Sequence, residues 1–211
     1  MARRTKEEAE ETRVDILDAA ERVFYAKGVS RTSLADIATA AGVSRGAIYW
    51  HFQNKVDVFQ ALFDRLRLPL EDLATASERE DEPDPLGRMR ELMIRVLCDL
   101  ENDPQRRRVS EILLYKCEYT DDLGDLRQRM QEFSLECDVR IERTLRNAVN
   151  KGQLPSTLDC QRAATCLHAC LDGIQARWLL AAGPQPLADQ AALLVDSLLD
   201  MLRYSPSLRT A

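Results

Sequence analysis

Residues 32–52 read TSLADIATAAGVSRGAIYWHF, and their spacing predicts two short helices joined by a tight turn. Ser33 and Asp36 have the spacing of a capping box, with Asp in place of the usual Glu, so we expect a helix to begin there. Gly42 supplies the positive-φ residue that ends this helix, and Ser44 caps the next one. The pattern is typical of a helix-turn-helix.

The second of these helices has two different faces. Ile48 and Phe52 are four residues apart and are expected to face the core. Arg45 and Tyr49 share another face, which we expect to enter the major groove of DNA. Because Gly46 has no side chain, the helix N-terminus can approach DNA closely, and Arg45 can reach a guanine edge or a phosphate. The expected contacts with the DNA backbone are Tyr49, Trp50 and His51.

The charge distribution separates the first third of the chain from the rest. The net charge is −6, but residues 1–67 carry 11 Lys and Arg against 10 Asp and Glu, whereas residues 68–211 carry 18 against 25. The 11 basic residues of the first segment include Arg3 and Arg4 at the N-terminus, which we assign to the DNA-binding surface. Since this positive footprint is small for one protomer, we expect a dimer on DNA.

Apolar periodicity predicts helices along the whole chain, and no alternating run of β-branched residues indicates a strand. The predicted fold class is all-α, with a helix-turn-helix domain at 1–53 and a ligand-binding and dimerisation domain at 54–211. The first helix begins near Thr5 and ends at Gly28, with a buried stripe of Ile16, Leu17, Ala20, Val23 and Phe24. The other helices are predicted near 54–78, with a kink or break at Pro69, and near 85–101, 105–114, 122–151, 159–182 and 188–203.

Composition also bounds the location of the protein. No segment approaches the roughly 18 consecutive apolar residues of a membrane span, and the N-terminus lacks the apolar centre of a signal peptide. We therefore expect a cytoplasmic protein whose six cysteines are reduced and mostly buried.

The segment RGAIYWHF at 45–52, followed by Asn54 and Lys55, resembles the DNA-binding head of the TetR family. The rest of the chain is similar to the multidrug-efflux repressor branch of that family, through DPLG at 84–87, EILLYKCE at 111–118, GQLP at 152–155 and Asp172-Gly173. The resemblance implies a nine-helix, Ω-shaped dimer with its first three helices on a palindromic operator. It also implies a four-helix interface, made by the last two helices of each protomer, and an apolar inducer pocket.

The resemblance assigns DNA contacts to the start of helix 2, the recognition helix and the start of helix 4, with Lys55 at a phosphate. The matching residues are Thr32, Ser33, Ser44, Arg45, Gly46, Tyr49, Trp50, His51 and Lys55. The dimer has support from the last predicted helix, which is apolar on more than one face through Leu193, Leu194, Val195, Leu198, Leu199, Met201 and Leu202.

Asp172 interrupts an apolar helix and must find a partner if it is buried, and a ligand group could be that partner. The resemblance points the same way, because it places around the inducer Leu66, Met89, Leu92, Met93, Val96, Ser110, Leu113, Leu114, Cys137, Ile141, His168, Leu171, Asp172 and Gln175. Similar repressors often have Asn and His where Ser110 and Leu114 stand, which favours more apolar ligands here.

Two short patterns suggest other chemistries. Gly42-Val-Ser-Arg-Gly46 matches the nucleophile elbow of α/β-hydrolases, but that elbow follows a strand, and the residues before Gly42 predict a helix. Cys166-Leu-His-Ala-Cys170 offers metal-ligating residue types, but on a helix His168 points roughly 200° away from the cysteines. We therefore expect no catalytic residue, no metal site and no cofactor.

The expected function is repression by occupancy of an operator, at a multidrug efflux operon. Release is expected when an amphipathic aromatic small molecule binds, such as an antibiotic or a plant phenolic. The alternative is a redox- or metal-sensing repressor that signals through its cysteines.

Overall fold

The computed structural model describes residues 6–118, 126–181 and 186–210, and within these ranges the regular structure is helical apart from one isolated β-bridge between Leu158 and Arg209. This confirms the all-α prediction. The α-helices are α1 (Lys6–Lys27), α2 (Leu34–Ala40), α3 (Arg45–His51), α4 (Lys55–Arg67), α5 (Glu71–Glu78), α6 (Pro85–Asn102), α7 (Pro104–Tyr115), α8 (Leu126–Asn150), α9 (Cys160–Leu180) and α10 (Leu187–Tyr204). None of these helices is long and apolar enough to cross a membrane.

The helix predicted at 54–78 is broken at Pro69, as expected. α4 ends at Arg67, a 3-10 turn occupies Leu68–Leu70, and α5 begins at Glu71. Pro69 has no N–H to give to the carbonyl of Arg65, and its ring crowds that carbonyl, so an α-helix cannot continue unchanged. If α4 and α5 are counted as one broken helix, the described ranges contain the nine helices that were expected.

Contacts divide the chain into two compact units, which differ from the predicted division after residue 53. The first unit comprises residues up to 67 together with 108–128, and the second comprises 68–107 together with the residues from 129 onward. α4 belongs to the first unit because its buried face packs on α1, where the rings of Phe24 and Phe59 lie 6.5 Å apart.

The core of the first unit contains most of the predicted α1 stripe. Ile16, Leu17, Ala20 and Phe24 are at most 1% exposed, while Val23 is half-buried. These residues lie three or four positions apart, so they form one continuous apolar face. The helix-turn-helix is supported by this face.

The second unit is organised by the pairing of α6 with α10. Leu97 on α6 and both Val195 and Leu202 on α10 are fully buried in one apolar cluster. At the edge of this contact the Arg90 guanidinium donates to both carboxylate oxygens of Asp196, at 2.6 and 3.0 Å. This ion pair adds little to stability, because both side chains are more than 40% exposed, and it serves mainly to orient α6 against α10.

Candidate DNA-binding surface and ligand-contacting residues

The turn between α2 and α3 has the geometry that its sequence predicts. Gly42 has φ +68°, its N–H donates to the Thr39 carbonyl at 3.2 Å, and the Val43 N–H donates to the Ala38 carbonyl at 3.0 Å. These two bonds are the Schellman pattern that satisfies the last carbonyls of a helix. The turn therefore fixes the angle at which α3 leaves α2.

The capping box at the start of α2 is also confirmed. The Asp36 N–H donates to Ser33 Oγ at 3.1 Å, and the Ser33 N–H donates to the Asp36 carboxylate at 2.9 Å. The hydrogen bonds from Ser33, with a further one from Lys27, lower the pKa of the Asp36 carboxyl far below its usual value. Asp36 is therefore ionised and holds the start of α2 at neutral pH.

The α3 helix presents the two faces predicted for it. Ser44 caps it by accepting from the Ala47 N–H at 3.1 Å, and Ile48 is fully buried. On the other side Tyr49 is 60% exposed and Trp50 is 72% exposed. Because Ser44 lies between two helices, the pattern that it shares with hydrolases is not a nucleophile elbow.

Arg45 lies exposed at the N-terminus of α3, and its guanidinium neither donates a hydrogen bond to, nor forms an ion pair with, any residue in the described ranges. Beside it, a methyl group built on Gly46 would meet only Ser44 Oγ, at 3.9 Å. The N-terminus of α3 therefore offers a cation, open backbone and exposed aromatic rings on one surface.

The other predicted DNA contacts fall into three groups. Ser33 and Ser44 are exposed, and His51 is half-buried with its ring 4.5 Å from the Trp50 ring, edge to face. Lys55 is half-buried, and its ammonium donates to the Ser30 carbonyl at 2.9 Å. Arg3 and Arg4 lie outside the described residues.

Thr32 does not share the exposure of its neighbours. Its side chain is only 3% exposed, its hydroxyl donates to the Gly28 carbonyl at 2.8 Å, and its N–H donates to the Val29 carbonyl at 3.2 Å. Both donors are therefore used inside the loop. Thr32 therefore supports the loop in this conformation, and its contact with DNA stays a prediction.

Four of the predicted ligand contacts belong to the first unit. Leu66 on α4 and Leu113 on α7 are half-buried, whereas Ser110 is 8% exposed. Leu114 is 46% exposed, which is high for a leucine. These four residues lie on α4 and on the part of α7 from residue 108 onward, both of which belong to the first unit.

The remaining predicted ligand contacts belong to the second unit and differ in burial. Met89 and Met93 are each 4% exposed and lie in the apolar core. In this conformation they fill the interior of the unit. The half-buried residues are Leu92, Val96, Cys137, Ile141, His168, Leu171 and Gln175.

Asp172 shares His168 with a carboxylate that the sequence analysis missed. His168 Nδ1 lies 2.7 Å from Asp138 on α8, and His168 Nε2 lies 3.7 Å from Asp172. The Asp172 side chain is 59% exposed, yet desolvation by the surrounding protein raises the pKa of its carboxyl. Asp138 is 30 residues from His168, so no local spacing could have revealed the pair.

The six cysteines are free thiols, and burial raises the pKa of four of them. Burial raises the pKa of Cys117 to about 11 and that of Cys137 to about 12, and it also raises the pKa of Cys98 and Cys160. A thiol with a raised pKa holds little of the reactive thiolate at neutral pH. No group of three or more His, Cys, Asp or Glu residues is placed to hold a metal ion in the described parts of the chain.

Comparison with known proteins matches both parts of the chain to regulators. Residues 16–62 match the bacterial regulatory proteins of the tetR family, and residues 84–204 match the C-terminal region of MAATS-type transcriptional repressors. The HTH-type transcriptional regulator TtgR of Pseudomonas putida is 54% identical over 209 residues, which cover 99% of this chain and 100% of TtgR. AcrR of Shigella flexneri is 39% identical over 209 residues, covering 99% of this chain and 97% of AcrR.

Two solved structures have the same fold. NalD, the secondary repressor of the MexAB-OprM multidrug efflux pump in Pseudomonas aeruginosa, aligns with a TM-score of 0.82 and 34% identity, covering 95% of this chain and 100% of NalD. The complex of SmeT with triclosan aligns with a TM-score of 0.83 and 32% identity, covering 93% of each chain. SmeT represses the multidrug efflux pump SmeDEF of Stenotrophomonas maltophilia.

Proposed function

Since this chain belongs to the TetR family of bacterial regulatory proteins, we propose that it represses an efflux operon by occupying a palindromic operator as a homodimer. It is a transcriptional repressor related to regulators of multidrug efflux. Release follows from the binding of an amphipathic aromatic small molecule. The protein acts in the cytoplasm, by binding alone, and converts no substrate.

The observation that carries this proposal is the exposed face of α3. Arg45 is a permanently charged side chain at a capped helix N-terminus. Tyr49 and Trp50 are large aromatic side chains that lie outside the core. Exposed side chains of this kind on a short second helix suit the major groove and its flanking phosphates. Ser33 and Lys55 add backbone contacts at the ends of α2 and α4.

The proposed dimer uses outward residues of α9 and α10. Val195 and Leu199 face the core of the second unit, whereas Leu193 is 71% exposed on another face of the same helix. Leu180 on α9 is 69% exposed. A partner that covers such leucines removes apolar surface from water and places two copies of α3 on one operator.

The proposed ligand is an aromatic molecule that carries a hydrogen-bond donor. SmeT has been solved with triclosan, a phenol that fits this description. In this chain the half-buried Cys137, Ile141 and Leu171 offer apolar contact, and the Asp172 carboxylate can accept a hydrogen bond from a ligand hydroxyl. A buried polar group of the ligand then has a partner, which favours its binding.

A footprint on the DNA upstream of this chain's own gene tests the proposal. We expect a protected palindrome that triclosan, or another aromatic antibiotic or plant phenolic, releases. Protection that no such compound changes, but that oxidant or zinc removes, would favour signalling through cysteines instead. Absence of any protected site would contradict repression at that promoter.

A further inference from the structure

Ser30 joins the helix-turn-helix to two other helices of the first unit. The Lys55 ammonium at the start of α4 donates to the Ser30 carbonyl at 2.9 Å. The Ser30 hydroxyl donates to the carbonyl of Glu118, just after α7, at 3.1 Å. The residues Ser30, Lys55 and Glu118 are called the Ser30 junction below.

The end of α7 is held against α1 by several further contacts. The Val29 N–H donates to the Lys116 carbonyl at 2.8 Å, and the Lys116 ammonium lies 5.4 Å from the centre of the Tyr25 ring. About two turns earlier on α7, the Arg108 guanidinium donates to the Glu21 carboxylate at 2.5 Å, and the Glu21 side chain is only 4% exposed. α7 therefore ends at a fixed position relative to the loop that follows α1.

That loop leads directly into the DNA-binding motif. Ser33, three residues after Ser30, is the N-cap of α2 and forms the capping box with Asp36. Between them, both donors of Thr32 are bonded to Gly28 and Val29. Because the loop is internally bonded, we expect a displacement of Ser30 to move the start of α2.

We propose that the Ser30 junction is the point at which movements of α4 and α7 are combined and passed to α2 and α3. This proposal rests on the repressor function above. α4 carries Leu66 and α7 carries Ser110 and Leu113, so each helix has a proposed ligand contact along its length and the junction at one end. Ser30 is a positioning residue, and it touches neither DNA nor ligand.

The substitution Ser30→Ala removes the hydroxyl bond to Glu118 and leaves the backbone carbonyl for Lys55. We expect the variant to bind the footprint-defined duplex and to bind triclosan as the wild type does. The ratio of duplex Kd with saturating triclosan to Kd without it should fall by roughly two- to tenfold, the size of one net hydrogen bond. Ser30→Thr keeps a hydroxyl and should restore the ratio. Ser156→Ala, an exposed serine of the second unit, is the control and should leave it unchanged.

Hydrogen exchange provides a second readout that needs no ligand. Binding of the duplex should slow amide exchange at 112–118 in the wild type, and Ser30→Ala should lose this effect while keeping protection at 45–51. A wild type that responds to triclosan, with a Ser30→Ala variant that responds equally, would overturn the junction and leave the repressor function standing. Unchanged exchange at 112–118 would also overturn it. If no duplex binds the wild type, the repressor function fails, and the junction fails with it.

Discussion

Arg45→Ala is expected to weaken operator binding strongly without destabilising the fold. The Arg45 side chain is exposed and has no partner among the residues that the structure describes. Exposed substitutions of this kind usually change stability by about 0.5 kcal/mol or less. The effect on the free energy of unfolding should therefore be small, and any loss of DNA binding can be read as a lost contact.

The size of the loss follows from the kind of contact. A bidentate bond from arginine to guanine is worth about 1–3 kcal/mol. One half-site therefore loses roughly 5- to 150-fold in affinity. A dimer that carries the substitution in both protomers loses about twice that free energy, because the two half-sites are far enough apart to act independently. If Arg45 contacts a phosphate instead, the loss is similar for all sequences and the salt dependence falls by about one ion per contact.

Fluorescence anisotropy with the footprint-defined duplex measures this loss, and thermal melting of the same preparation measures stability. Arg22→Ala is the matched control, since Arg22 is an exposed arginine on α1 of the same unit and its loss changes the net charge equally. Wild-type affinity in Arg45→Ala would show that α3 does not read DNA as proposed. Equal losses in both variants would show that only the overall charge matters.

Three further substitutions test other parts of the structure. Gly42→Ala should lower stability by about 1–2 kcal/mol in chemical denaturation, because φ +68° is strained for alanine although nothing lies within 4 Å of the new methyl group. Asp172→Asn should weaken the triclosan response and spare duplex binding. Since the pKa of Asp172 is raised in the folded state, its ionisation opposes folding. The melting temperature of Asp172→Asn should therefore match the wild type only below the ordinary pKa of an aspartate carboxyl, and it should exceed the wild type at pH 7. Leu193→Asp should give monomers in analytical ultracentrifugation, whereas Val14→Asp, at an exposed valine of α1, should leave the dimer intact.

The features that the sequence predicted well are those set by neighbouring residues. The capping box at Ser33, the positive φ of Gly42 and the break at Pro69 each depend on chemistry within four residues. The two faces of α3 follow in the same way from the spacing of Ile48 and Arg45. Such local signals also predicted most helix ends to within a few residues of their positions in the structure.

The features that the sequence could not predict depend on distant contacts. The sequence did not reveal that Thr32 is buried, with its hydroxyl bonded to Gly28 in a loop that is also bonded to Lys116 after α7. The pairing of Asp138 with His168 joins two helices, and no periodicity within either helix specifies it. Residues 108–115 of α7 likewise belong to the first unit, where Arg108 forms a long-range ion pair with Glu21.

Two titrations on one preparation decide whether a ligand releases the operator. The affinity for triclosan is measured with free protein and again with protein saturated by the footprint-defined duplex, and the duplex affinity is measured with and without triclosan. Because binding free energies are linked, both ratios must be equal, and we expect each to show weakening of about 5- to 150-fold. Equal triclosan affinities for the free and the DNA-bound protein, in a preparation that binds both, would contradict release by ligand.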